Sequence, residues 1–354
     1  MAHYCKRILV GFILLLITAG LLLVFTSHLD DFDFDNTIQQ ELTFESQGNT
    51  LSGTLLLPGS GQPAAVAVII HGDGPQDRYS NMGYSPLFNT LTDAGIAVFS
   101  WDKAGVGSSR GNWLDQSMPD RAEEAAAALR FIQSRYPGGT VQVGFLGFSQ
   151  AGWVIPAAAG QSHPAFSVII GAAVNWRDQG QFYQKLRYAQ QGKTPDDIAR
   201  LLAEEQTEND RIFSMNGSKD PANRSDMTPD RFAFVAKNYL SDSSADLPHM
   251  NGRVLAVWGA EDLNVNARAD ACRYQSALKD NPQADVMVVP QAGHGLLRAP
   301  AFNYQLESDW PVLRRWHFLY SGRDAYYPGA LNLITDWIEN KKPDLTPYLP
   351  VCKA

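Results

Sequence analysis

Cysteine is scarce in this sequence. Only Cys5, Cys272 and Cys352 occur, and no two of them form a Cys-x-x-Cys pair. A zinc ribbon and a redox dithiol are excluded on that ground. Cys272 and Cys352 are free either to pair in an oxidising compartment or to remain two thiols. An excess of basic residues is missing too: 29 Lys and Arg stand against 37 Asp and Glu, a formal net charge of -8. Phosphate backbones are bound through a cationic footprint, so nucleic acid is not an expected partner. No internal repeat and no low-complexity tract interrupts the chain. Charged residues are sparse at 19%, against 45% hydrophobic, a balance that supports a packed globular core. A length of 354 residues allows one large core or two smaller ones.

One long apolar run is present. Ile8 to Phe25 holds 18 residues without a charge, which as a helix would span roughly 27 Å, close to the thickness of a bilayer core. Lys6 and Arg7 precede it, and Asp30, Asp31, Asp33 and Asp35 follow. Basic residues ahead of a span hold that end in the cytoplasm, placing everything after residue 30 outside. The expectation is an N-terminal transmembrane helix, a signal anchor over residues 1–29, with a cleaved signal peptide as the alternative. The run is long for a signal peptide, and Val-Phe-Thr-Ser-His is a poor cleavage site. Residues 30–40 read as an acidic linker, and 41–354 as the folded domain.

Within that domain, Leu42–Ser46 and Leu51–Leu57 read as two strands joined by a turn at Gln47-Gly48-Asn49. Continuous apolar runs then recur at 64–70, 96–99, 141–146, 167–173, 254–258 and 286–289, as expected of strands buried on both faces. Helical patterns lie between them. Ala122, Ala125, Ala126, Leu129 and Ile132 share one face of a helix beginning near Pro119 and stopping before Pro137. Ala330, Ile334, Trp337 and Ile338 share a face of the last one. Alternation of strand and helix implies crossovers and a mostly parallel sheet. Residues 176–250 break the rhythm. They hold no buried strand pattern, and Thr194-Pro195 and Thr228-Pro229 look like helix starts. A helical insertion between two strands is expected there.

Gly147-Phe148-Ser149-Gln150-Ala151-Gly152 lies between a strand pattern and a helix pattern. Nucleophilic serines sit on such strand–turn–helix junctions, where small neighbours admit a strained backbone and the helix N-terminus faces a developing oxyanion. The spacing is Gly-x-Ser-x-x-Gly, with Ala151 where a second glycine is usual. Taken alone, it also describes an ordinary strand-to-helix turn. A serine nucleophile needs a base in reach and a third group to hold that base. Asp262 follows the run 254–258, and His294, one of seven histidines, follows the run 286–289. Serine, acid and histidine thus occur in the order required, each past the end of an apolar run. Glu261 is a rival acid to Asp262. The main-chain N–H groups of Asp73 and Gln150 are the candidate oxyanion donors, Asp73 belonging to His71-Gly72-Asp73-Gly74 after the first long run. Its carboxylate is expected to turn away, toward Arg78. His71 reads as a residue that braces the loop.

These segments together resemble the α/β-hydrolase superfamily over roughly residues 40–342, with the nearer likeness to bacterial esterases and serine aminopeptidase-like hydrolases. The resemblance rests on HGDGPQDR at 71–78, WDKAGVGSSRG at 101–111, GFSQAG at 147–152, WGAEDLNVN at 258–266 and AGHGLL at 292–297. It implies an α/β fold with a mostly parallel eight-stranded sheet flanked by helices and a lid over the pocket, here about 176–250. Asp262 matches its acid position. The implied activity is hydrolysis of a small-molecule acyl substrate, an ester, by Ser149, His294 and Asp262, with no metal or cofactor required. Glu204, Glu205 and Glu208 would suit a second reading, aminoacyl hydrolysis, if they bound a free amine; a solvated helix face accounts for them as well. A third reading is a membrane-tethered binding protein on an inactive hydrolase scaffold.

Overall fold

The computed structural model describes residues 12, 29–341 and 348–352. The sheet begins with a hairpin, β1 (Thr37–Ser46) and β2 (Asn49–Pro58). Gln47 and Gly48 at its tip both take positive φ, 50° and 78°, the backbone that a tight two-residue hairpin turn demands. The apolar runs become β3 (Ala65–Ile70), β4 (Ile96–Trp101), β5 (Gln142–Phe148), β6 (Phe166–Ile170), β7 (Arg253–Gly259) and β8 (Ala284–Val289). Their order in the eight-stranded sheet is β1-β2-β4-β3-β5-β6-β7-β8. β1, β2 and β4 pair antiparallel, and every pairing from β4 to β8 is parallel. Parallel strands all end on one edge, so residues that follow β3, β5, β7 and β8 meet there.

Helices cover both faces. α1 (Ser85–Asp93), α2 (Met118–Arg135) and α3 (Ile155–Ser162) connect the first strands. Between β6 and β7 come α4 (Trp176–Gln190), α5 (Pro195–Phe213) and α6 (Pro229–Asn238), the expected helical insertion. α7 (Ala267–Ala277) links β7 to β8, and α8 (Val312–Ser321) and α9 (Ala330–Ile338) close the described fold. α5 and α6 start at the expected threonines: the Thr194 and Thr228 side chains accept from the Asp197 and Arg231 N–H groups, with proline at the first helical position. One face of the sheet packs Val66, Val68 and Phe145 against Ala125, Leu129 and Ile132 of α2 and Ala158 of α3. The other packs Ala67, Ile69 and Val168 against Phe88 of α1 and Ile334 and Trp337 of α9. Alternation along each strand splits the two sets, and burying each large side chain contributes about 1.5–3 kcal/mol.

The acidic stretch expected as a linker over 30–40 is docked on the domain. Phe32 and Phe34 are buried. Asp31 pairs with Arg323 at 2.8 Å, and its carbonyl accepts from the Asn89 side chain at 2.9 Å. β1 begins within the stretch, at Thr37. Burial of two phenylalanines offsets the cost of ordering a segment whose charge pattern alone reads as solvated. The apolar run Ile8–Phe25 lies outside the described residues apart from Phe12. Among the described residues no helix is long and apolar enough to cross a membrane.

Cys272 on α7 and Cys352 near the C-terminus are joined by a disulfide, their Cα atoms 5.1 Å apart. The pairing left open by the sequence is thereby resolved. The bond holds the tail where the Leu349 N–H donates to the Val288 carbonyl at 2.9 Å, which covers part of the free edge of β8. The bond ties residues separated by 80 positions, and a cross-link of this kind typically contributes about 2–4 kcal/mol by constraining the unfolded chain. Thermal melts with and without reductant check this: the reduced protein and a Cys352→Ser variant are expected to melt several degrees lower. An unchanged midpoint would show that the bond does not contribute.

Candidate active site

β5 ends at Phe148 in extended backbone, and Ser149 then takes φ 53°. A single turn of 3-10 helix over Ser149–Trp153 leads into α3. Space decides which neighbours can be large. A Cβ on Gly147 would lie 2.5 Å from the Ala151 Cβ and 2.7 Å from Ile155 Cδ1. A Cβ on Gly152 would lie 2.4 Å from the Ala172 Cβ, just past the end of β6. The second close approach therefore falls on residue 152, while Ala151 fits against the bare Gly147. That is the physical reason for the Gly-x-Ser-x-x-Gly spacing.

β7 and β8 deliver the other two residues. Asp262 is buried, and its Oδ1 accepts from the N–H groups of Asn264 at 2.7 Å and Val265 at 3.0 Å. Those two bonds aim Oδ2 at His294, whose Nδ1–H donates to it at 2.7 Å. Glu261 is exposed and takes no part in that pair; its carbonyl accepts from the Asn303 amide. Burial disfavours the charged imidazole of His294, but the charge and hydrogen bond of Asp262 outweigh it, leaving the pKa above the ordinary 6.5. Ser149 and His294 line one cavity. No hydrogen bond joins their side chains among the described residues, and such contacts commonly tighten only when substrate binds.

The loop after β3 approaches from the other side: a Cβ on Gly72 would lie 3.4 Å from that of Ser149. Its shape is held from beneath by buried cations. Lys103, 2% exposed, donates to the carbonyls of Gly72 at 2.8 Å and Gly74 at 2.9 Å. Burial and the nearby Arg121 press the Lys103 pKa well below its ordinary value. Arg121 donates to the His71 carbonyl at 2.8 Å and to Gln150 Oε1. His71 stacks on Tyr84 with ring centroids 5.8 Å apart, and its Nε2 lies 2.7 Å from the Trp101 carbonyl. Burial and the Lys103 charge push its pKa down to about 3, so it is a neutral brace.

Asp73 departs from expectation. Arg78 is occupied elsewhere, donating to Asp102 at 2.8 and 3.1 Å and pairing with Glu41. The Asp73 carboxylate instead accepts from Arg231 of α6 at 3.0 and 3.3 Å and from Gln150 Nε2 at 3.0 Å. Partial desolvation at the cavity raises its pKa, but Arg231 and then Lys103 outweigh that and hold it below the ordinary carboxylate value. The Asp73 N–H has no acceptor among the described residues, and Gln150 sits in the first turn of its helix, where N–H groups lack intrahelical partners. Both belong to residues lining the cavity. The segment 102–109 proves to be a tie behind this loop: Asp102 accepts from the N–H groups of Arg78 and Ser108 and from the Arg78 guanidinium.

The cavity measures about 1160 Å³ and takes one wall from the insertion, including Trp176, Arg177, Phe213, Arg231 and Tyr239. The insertion aromatics serve two uses. Phe213, Phe232, Phe234 and Tyr239 are all buried as packing, and of these Phe213 and Tyr239, together with the less buried Tyr183, also border the cavity. Glu204, Glu205 and Glu208 border it too. Glu204 pairs with Arg200, Glu208 with Arg211, and Glu205 accepts from the Tyr188 hydroxyl. Among the described residues, no group of His, Cys, Asp and Glu side chains is placed to hold a metal ion. The assembled chemistry is a hydroxyl on a strained turn and a carboxylate-held imidazole at one cavity, which together suit nucleophilic acyl transfer.

The sequence pattern of the alpha/beta hydrolase family matches residues 67–304. No curated relative matches the chain. Solved structures share the fold at low identity. An esterase of Pyrococcus furiosus superposes with TM-score 0.56 at 13% identity, covering 87% of this chain and 92% of its own. An acylaminoacyl peptidase of Pyrococcus horikoshii gives 0.51 at 14%, covering 87% of this chain and 42% of its own. Est1E of Butyrivibrio proteoclasticus, solved with ferulic acid, gives 0.50 at 15%, with coverages of 84% and 96%.

The His294–Asp262 pair is testable by NMR titration of the imidazole. His294 is expected to titrate above 6.5, because Asp262 favours the charged ring. In Asp262→Asn the opposing burial is left unbalanced, so the pKa falls below 6.5. Equal values in the two proteins would contradict the pairing.

Proposed function

The chain belongs to the alpha/beta hydrolase family, and from that premise we propose that it is a serine hydrolase cleaving carboxylic esters through an acyl-enzyme on Ser149. The observation that carries this reading is the 2.7 Å His294–Asp262 hydrogen bond, beside a cavity that Ser149 shares. Ser149 Oγ attacks the acyl carbon, and its proton passes to Nε2 of His294. Asp262 stabilises the imidazolium through Nδ1. The N–H groups of Asp73 and Gln150 receive the oxyanion. His294 returns the proton to the leaving alcohol, and water repeats the sequence to release the acid.

Two further features belong to this proposal. The helices of the insertion act as a lid, an assignment supported by the wall they give the cavity. The domain lies outside the cytoplasm, tethered to the membrane through residues 8–25 or secreted after cleavage. The Cys272–Cys352 disulfide supports that location, since such bonds persist in oxidising compartments. Aminoacyl hydrolysis is the second reading, favoured by the position of Glu204, Glu205 and Glu208 at the cavity. Against it, each of the three already has a partner within the insertion.

The experiment compares nitrophenyl esters of increasing acyl length with aminoacyl nitroanilides, using Ser149→Ala as control. Esters are expected to turn over and nitroanilides are not, and the variant should lose about 10⁴-fold or more in kcat. Nitroanilides outrunning esters would install the aminoacyl reading. Full activity in the variant would refute the mechanism, and no turnover of any substrate would favour a binding protein.

A further inference from the structure

Asp73 raises a difficulty that the proposed chemistry has to meet. Its N–H faces a developing negative charge, yet its own side chain is a carboxylate held in the charged form. A fixed anion on an oxyanion donor opposes the reaction it serves. The buried cations beneath the loop are already engaged, Lys103 on the carbonyls of Gly72 and Gly74, Arg121 on the His71 carbonyl and Gln150. The group that meets the carboxylate directly comes from the insertion. Arg231 grips it with two N–H groups at 3.0 and 3.3 Å. The guanidinium is itself held in place, 5.0 Å from the ring centroid of Phe234 and 5.9 Å from that of Trp113.

The same carboxylate has a second tie. Gln150 Nε2 donates to Asp73 Oδ1 at 3.0 Å. The two residues whose N–H groups form the proposed oxyanion site are thus linked to each other through their side chains, and through Asp73 to α6. The Asp73 and Arg231 side chains are 46% and 35% exposed. An ion pair so open to water contributes little to stability, so folding alone gives a weak account of it.

Resting on the serine hydrolase reading, we propose that Arg231 is a positioning residue that couples the insertion to the oxyanion site. It cancels the charge of Asp73 and fixes the spacing of the Asp73 and Gln150 N–H donors. When α6 is seated, the donors are aligned and their local field is neutral; displacement of α6 leaves an uncompensated carboxylate beside them. The insertion thereby sets catalytic competence as well as access.

The test measures the rate at which a fluorophosphonate labels Ser149 in the full chain. Ser149 Oγ bonds to phosphorus as its proton passes to His294, fluoride departs, and the phosphoryl oxygen occupies the oxyanion site, so the rate reports on the donors. Arg231→Gln is expected to slow labelling by about 10- to 100-fold, lowering kcat on an ester with little change in KM. Arg231→Lys, which keeps the charge, is expected to stay within a few-fold of the parent. Combining Arg231→Gln with Asp73→Asn removes the stranded charge and is expected to label faster than Arg231→Gln alone, a rescue that a packing role would not produce. Thermal melts of each variant separate loss of fold from loss of alignment. Parent-like labelling in Arg231→Gln, or a double variant no faster than the single, overturns the proposal while leaving Ser149 as nucleophile. A parent chain that is not labelled at Ser149 overturns the underlying reading and this proposal with it.

Discussion

Ser149 is held in the left-handed region of backbone space, at φ 53°. For a residue with a side chain that conformation costs about 1–2 kcal/mol. It persists because the surroundings leave no alternative. Gly147 lets Ala151 and Ile155 press against the end of β5, and Gly152 lets the turn press against Ala172. The buried side chains of Ala151, Val154 and Ile155 anchor the start of α3 in the core. Relaxing the serine would break those contacts, so packing holds the strain in place. The same parallel sheet brings the ends of β3, β7 and β8 to this edge, and the loops that carry Asp73, Asp262 and His294 have nowhere else to converge.

Charge is the second organising element. Lys103 and Arg121 are buried cations, which a core tolerates only when their N–H groups find acceptors. Here the acceptors are main-chain carbonyls of the loop after β3 and the amide of Gln150. The desolvation cost thus goes into fixing the loop that faces the cavity. Asp102 ties Arg78 and the 102–109 segment behind it. A network of this kind resists sliding, because each displaced bond would strand a buried charge.

Much of this was legible in the sequence because it is local. Six apolar runs became the strands β3 to β8, and a charge-poor run of four or more residues has few other uses. The Gln47-Gly48 turn and the Thr-Pro helix starts at 194 and 228 were written in residues whose conformational preferences are strong. The order of Ser149, Asp262 and His294 followed from the strand ends. Asp262 was told from Glu261 by a resemblance, and the structure supplies the reason in two backbone N–H groups that turn its carboxylate to His294. What escaped is non-local. Arg231 and Asp73 are 158 positions apart, and nothing near Asp73 announces a partner in the insertion, whereas Arg78 stood close by. Lys103 likewise gave no sign that it would be buried. The docking of residues 29–34 was hidden because three aspartates outweigh two phenylalanines in any reading by composition. Glu205 reads as a solvated helix residue until Tyr188, 17 positions away, is brought beside it.

The proposed chemistry is covalent and falls on one oxygen, so a trapped acyl-enzyme is its direct signature. A slowly deacylating activated ester, mixed with the full chain and quenched in acid, should leave one acyl group on the protein. After proteolysis, mass spectrometry should find that acyl mass on the peptide containing Ser149, and on none from Ser149→Ala. Turnover of the same ester with no acyl adduct at Ser149, or with the adduct on another residue, would contradict the account.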